Sequence, residues 1–146
     1  MATLNDFADL ARSQQGLGVV STLRADLSIQ SSVVNLAVMG HPVAGADIVA
    51  FVTYGKVKLA NLRVRPRLAV AVRSGWKWAT VEGAAELIGP DDPHRAFDAE
   101  RVRLLLREIF VAAGGTHDNW DAYDRTMAAD RRAAVLVRPD RVYGNA

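Results

Sequence analysis

Thr53-Tyr54-Gly55-Lys56-Val57-Lys58-Leu59-Ala60-Asn61-Leu62-Arg63-Val64-Arg65-Pro66-Arg67 is the stretch on which the reading of this chain turns. An apolar strand, Ile48 to Thr53, runs into it, and another, Leu68 to Val72, runs out of it. Val57 to Val64 suits a helix of about two turns: Leu59 and Leu62 can face inward, and Lys58 and Asn61 share a second face. Pro66 ends the helix, because the residue before a proline avoids helical backbone. With Arg73 and Lys77 just beyond, seven cations fall in one region, and no Asp or Glu occurs between Asp47 and Glu82. The whole chain has 18 basic and 16 acidic residues, a net charge of only +2; outside the island the balance is 11 basic to 16 acidic. Clustered charge, rather than its sum, points to an anionic ligand.

The flanking sequence fills in the rest. Leu4 to Arg12 has the spacing of a short amphipathic helix. Leu17 to Leu23 reads as a strand, Arg24 to Leu27 as a hairpin turn, and Ser28 to Met39 as a long second strand with apolar residues on both faces, so that both are expected to be covered. After the break at Gly40 to Asp47 comes the third strand. Leu68 to Val72 and Trp78 to Leu87 form the next pair, turning at Ser74-Gly75. Gly89-Pro90-Asp91-Asp92-Pro93 separates them from a helix carrying Phe97, Val102, Leu105, Leu106, Ile109 and Phe110. Gly114-Gly115 stops that helix, and Asp118 or Asn119 can cap another bearing Trp120, Tyr123 and Met127, a stripe read as core. Ala133 to Val137 is a last strand; Pro139 is expected to interrupt it before Val142-Tyr143.

Six or seven strands with short connections favour an antiparallel sheet, and a sheet of this size in 146 residues closes into a small barrel flanked by helices, one domain over 1–146. No apolar run is long enough to span a bilayer, and the N-terminus lacks a signal-peptide pattern; a cytoplasmic protein is expected. Without cysteine there are no disulfides, thiolate metal sites or cysteine nucleophiles. His41, His94 and His117 stand in separate breaks with no metal-ligand spacing, so no metal is expected. Hydrolase and NTPase signatures are missing. The small net charge weighs against nucleic acid as a partner.

A turn such as Tyr54-Gly55-Lys56 at a helix start exposes unpaired N–H groups that favour an anion, and Gly55 lets the backbone approach it. Lys56, Lys58 and the Thr53 hydroxyl suit a phosphate ester. The order Thr53-x-x-Lys56-x-Lys58-x-x-Asn61-Leu62-x-x-x-Pro66-Arg67, followed by Val81-Glu82-Gly83, resembles the pyridoxamine 5'-phosphate oxidase-like, split-barrel flavin-binding superfamily. Gly75-Trp76, Val81-Glu82-Gly83, the segment His117 to Tyr123 and Val142-Tyr143-Gly144 resemble its flavin/deazaflavin oxidoreductase branch, which uses coenzyme F420 rather than FMN.

The resemblance implies a split β-barrel and a homodimer, the latter in keeping with the many apolar strand faces. It implies hydride transfer from coenzyme F420 to a small conjugated organic substrate, with an FMN-dependent oxidase or reductase and a non-catalytic flavin- or haem-like ligand binder as alternatives. Lys58 matches the phosphate-binding lysine, Lys56 a position often basic or hydroxylated, and Asn61 a polar residue lining the phosphate. Val57 stands where FMN-type oxidases place an arginine. Gln30, Ser32 and Val34 match the strand segment approaching the ring; Trp76 and Trp78 match the segment beside the ring and substrate space, across the dimer interface. Arg63, Arg65 and Arg67 exceed what one phosphate needs and would suit the polyglutamate tail of F420. No side chain stands out as an obligatory acid or base, so no catalytic residue is assigned.

Overall fold

The computed structural model describes residues 1–146. In chain order its elements are α1 (Leu4–Ser13), β1 (Leu17–Leu23), β2 (Ile29–Gly40), β3 (Asp47–Thr53), α2 (Lys56–Val64), β4 (Arg67–Ser74), β5 (Lys77–Ile88), α3 (Ala99–Ala112), α4 (Trp120–Ala129) and β6 (Ala133–Gly144). The six strands close into an antiparallel barrel in the order β1-β2-β3-β6-β5-β4. Long strands make the closure possible by serving two neighbours in succession. β2 pairs with β1 through Asn35 and with β3 from Leu36 onward.

Two apolar cores result. Inward residues such as Val20, Leu36, Val49, Phe51, Val70 and Val81 fill the barrel, joined by Phe7 and Leu10 of α1 and by Leu59 and Leu62 of α2. Helix α1 is started by a reciprocal cap: Thr3 accepts from the Asp6 amide, and the Asp6 carboxylate accepts from the Thr3 amide. A second core lies outside the barrel, where Leu105, Leu106 and Ile109 of α3 cover Ile48 and Ala50 of β3 and Leu136 of β6. Strand β3 is therefore buried on both faces. Helix α4 starts at Asn119, whose side chain accepts from the Ala122 amide at 3.0 Å. It is fastened to α3 by the Tyr123 hydroxyl, which donates to the Leu106 carbonyl, and by Asp124, which takes both Arg103 and Arg107.

Two expectations need correction. The first half of β2 is not covered on both faces: Ile29 and Val33 are each 64% exposed, and across from them on β1 Leu23 and Val19 are exposed too. Helix α3 reaches only the far half of the strand. Nor does Pro139 interrupt β6, which runs on to Gly144. The register against β5 shifts between Glu82 and Gly83, and Gly83 faces Pro139 there. β3 pairs with β6 only as far as Val137, so beyond it one edge of β6 is free, the setting in which a strand tolerates proline. Backbone approach at the bulge is so close that a Cβ on Gly83 would stand 1.9 Å from the Arg138 carbonyl oxygen.

Candidate functional site

Strand β3 ends at Thr53 and the chain enters α2 within three residues. Gly55 is the N-cap, with extended backbone and no side chain to offer the first turn. The amides of Lys56, Val57 and Lys58 find no acceptor in the chain; the first helical bond is that of Leu59 to the Gly55 carbonyl. No acidic residue stands in this turn. The end of α2 therefore presents a cluster of donors and a partial positive charge.

Lys58 folds back onto this end. It is only 5% exposed, and its Nζ donates to Thr53 Oγ1 at 3.3 Å, its one partner. No carboxylate pairs with it. Burial pulls the ammonium below its ordinary pKa of 10.5. A buried cation lacking a counter-charge is costly, and an incoming anion removes the cost. Nζ also lies beside Gly55: a Cβ there would come 3.4 Å from it. Glycine keeps the space between ammonium and helix start open.

Next to this seat is a line of buried polar groups. Asn61 Nδ2 donates to Thr22 Oγ1 at 3.0 Å, and Thr22 in turn donates to Gln30 Oε1 at 3.3 Å, joining α2, β1 and β2. Ser32, one inward step along β2 from Gln30, has a buried Oγ with no hydrogen-bond partner. Such an orphaned hydroxyl is uncommon and calls for a ligand or water. Thr22 escaped the sequence reading because an inward hydroxyl in an apolar strand carries no local signal.

The other residues singled out in the sequence fare differently. Lys56 and Val57 are exposed at the start of α2, and Lys56 has no ion-pair or hydrogen-bond partner. The Val34 side chain belongs to the barrel core. Trp76 is 94% exposed in the β4–β5 turn and Trp78 is exposed at the start of β5. That turn is a whole strand away from α2, roughly 25 Å for the eight residues of β4, so one chain does not bring the tryptophans to Lys58. They form a cluster of their own: Trp78 meets Tyr143 edge to face at 6.1 Å, the Tyr143 hydroxyl donates to Glu82, and the Asn145 side-chain amide accepts from the Trp78 amide and donates to the Trp76 carbonyl.

The arginines do not form an open cationic strip. Arg63 holds Asp92 through two bonds of 2.8 Å, Arg67 is paired with Asp140, and Arg65 donates to the Leu23 carbonyl. Two of their partners are carboxylates far away in sequence, Asp92 from Arg63 and Asp140 from Arg67. The three histidines have hydrogen-bond partners within the chain. His41 and His94 both bond Glu86 through Nε2 at 2.8 Å, while their Nδ1 atoms accept backbone amides. Each Nε2 therefore carries the proton, which disfavours metal ligation through that atom.

The profile of the family described as pyridoxamine 5'-phosphate oxidase matches residues 5–145. The chain belongs to that family. Among solved structures, a conserved hypothetical protein from Mycobacterium tuberculosis is 19% identical and superposes with a TM-score of 0.69 over 99% of this chain and 84% of its own. An F420 reductase is 18% identical, with a TM-score of 0.59 over 87% of this chain and 88% of the reductase. A pyridoxamine 5'-phosphate oxidase-related, FMN-binding protein from Nostoc punctiforme is 13% identical, with a TM-score of 0.61 over 97% and 84%. At these identities the neighbours establish a shared fold.

Proposed function

We propose that this family member is an oxidoreductase that binds coenzyme F420 as a homodimer and passes a hydride to a small conjugated organic substrate. The observation that carries the reading is Lys58, an ammonium 5% exposed at a helix start, with one hydroxyl and no carboxylate beside it. The residues present fit the phosphodiester of that coenzyme. Lys58, Thr53 and the amides of Lys56, Val57 and Lys58 would hold it.

Charge matching favours F420 over FMN. A phosphodiester carries one negative charge, which one buried ammonium and a helix start can balance. The phosphate monoester of FMN carries roughly −1.5 to −2 at pH 7. FMN-type oxidases meet it with an arginine beside the lysine, and here the arginine position is Val57, exposed and uncharged. Exposed Lys56 remains available for a more distant anionic group.

When bound, the coenzyme supplies the hydride chemistry, and the chain supplies a fixed seat and shelter from water. Gln30 and the unpartnered Ser32 hydroxyl would give polar contacts along β2. The exposed apolar face of Val19, Leu23, Ile29 and Val33 is where a second copy would sit. A second copy is also needed to set a Trp76–Trp78 turn beside the seat, given the distance within one chain.

Tryptophan fluorescence during titration with F420 and with FMN tests the assignment. Tighter binding of F420, followed by substrate-dependent loss of its reduced form, is the expected result. Submicromolar FMN binding with no response to F420 would overturn the cofactor, and binding without turnover of any enone or quinone would overturn the enzyme.

A further inference from the structure

One cavity shares no residue with the Lys58 seat. It is a hollow of about 650 Å³ between α3, α4 and the connection 89–98 that follows β5. Pro93, Phe97, Val102, Leu106, Met127 and Ala128 give it apolar walls. This volume falls within the range of small-molecule sites.

Polar ties around the rim fix the walls relative to one another. Asp124 of α4 is clamped by Arg103 and Arg107 of α3. The connection is fastened twice, by Asp92 to Arg63 of α2 and by Asp91 to Arg131 after α4. His94 anchors it a third time, on Glu86. These ties fix three separate elements about an apolar space, so the hollow is preformed and does not depend on a ligand to open it.

The rim also sets the charge of the occupant. Arg103, Arg131 and Arg132 are matched by Glu100 and Asp124, Asp91 and Asp130 respectively. Asp98 is engaged as the cap of α3. Arg125, on α4, lines the hollow with no ion-pair or hydrogen-bond partner. An apolar interior with one unmatched cation at its mouth selects an amphipathic molecule with a single negative end. Polyanions and polar ring systems would leave groups unsatisfied against these walls.

We propose that this hollow is a second binding site, for a small carboxylate with a hydrocarbon or aromatic body, its carboxylate at Arg125 and its body against Val102, Leu106 and Met127. Sodium decanoate serves as probe, added to the full chain with methyl groups labelled for NMR. Saturable shifts of the Met127, Val102 and Leu106 methyls are expected. Arg125→Gln is expected to weaken decanoate binding about two- to fivefold, as for one exposed charge, and to leave binding of neutral decanol unchanged. Ala128→Phe, which fills the hollow, should abolish both. Should Ala128→Phe fail to fold by circular dichroism, the methyl map of the unaltered chain and the Arg125→Gln comparison decide the matter. Shifts confined to Val19, Leu23, Ile29 and Val33, or no saturation at millimolar decanoate, overturn the site. Equal affinity of Arg125→Gln and the unaltered chain for decanoate overturns the ligand class. Lys58→Ala is expected to leave decanoate binding unchanged, which keeps this test independent of the cofactor assignment.

Discussion

Replacing Lys58 by methionine should make the ligand-free protein more stable and its binding worse. The substitution keeps most of the apolar stem and removes the ammonium. What is lost from the fold is a single hydrogen bond from the ammonium to Thr53, long at 3.3 Å and so about 1.5 kcal/mol, the low end for a charged group. What is relieved is the burial of a charge with no counter-ion, for which the effective penalty is several kcal/mol. Because the Thr53 hydroxyl softens that penalty only in part, the net gain is about 1–2 kcal/mol. For 146 residues, with an unfolding entropy of about 2.1 cal/mol/K each, this raises Tm by roughly 3–7 °C. Affinity for F420 should fall roughly ten- to a hundredfold, the loss of one charge-assisted contact worth about 1.5–3 kcal/mol. The pH dependence has a definite sign. Burial sets the folded pKa of Lys58 below 10.5, so the unfolded chain holds that proton more tightly. The penalty is complete below the folded pKa and disappears as pH rises from there toward 10.5. The variant's advantage is therefore full at neutral pH and shrinks in alkali. Calorimetry at pH 7 and pH 10, with fluorescence titration of F420, reads all three effects. A Tm that falls at pH 7 together with an unchanged affinity would refute the reasoning and make Lys58 a structural residue.

Arg63→Ala should cost about 0.5–1 kcal/mol by denaturant titration, through the half-exposed pair with Asp92, while F420 affinity stays within twofold; a tenfold loss of affinity would return Arg63 to the cofactor site. Val33→Glu should convert a dimer to a monomer in sedimentation without unfolding it, since the residue is 64% exposed in the single chain; a dimer that survives the charge lies on another face. Gly83→Ala should abolish soluble expression or lower Tm by well over 10 °C, because the added methyl collides with the Arg138 carbonyl at the β5–β6 bulge.

Local pattern carried the reading of this chain a long way, and its failures have a common form. Strand and helix positions were legible because period and punctuation are local: Gly55 and Pro66 bound α2, and Asn119 caps α4. The inward turn of Lys58 was also within reach, since Lys58, Leu59, Asn61 and Leu62 make one broad buried face at helical spacing. The course of β6 was not. Proline read alone ends a strand; its tolerance here depends on β3 stopping at Val137 and on a glycine more than fifty residues earlier. The arginines show the same limit. Lys58 and Arg63 belong to one nine-residue helix and are equal as charges in a sequence count, but one is buried without a partner and the other grips Asp92, 29 positions away. Sequence spacing locates a cation; only the fold determines whether another residue has already neutralised it.

That distinction bears on how the seat works. Helix α2 is bolted at its far end: Arg63 to the connection after β5, Arg65 to the Leu23 carbonyl, and Asn61 to Thr22 of β1. All three ties come from the last turns. The first turn makes none, and its amides and Lys58 are left with no acceptor but Thr53. A helix held rigid at one end with unsatisfied donors at the other keeps its frustration where a ligand can relieve it, and needs no rearrangement to do so. Arg63 and Arg65, whose positions would suit a polyanionic tail, instead use their charge to fix the helix, and on the proposed function a single lysine and a few amides would grip one phosphate.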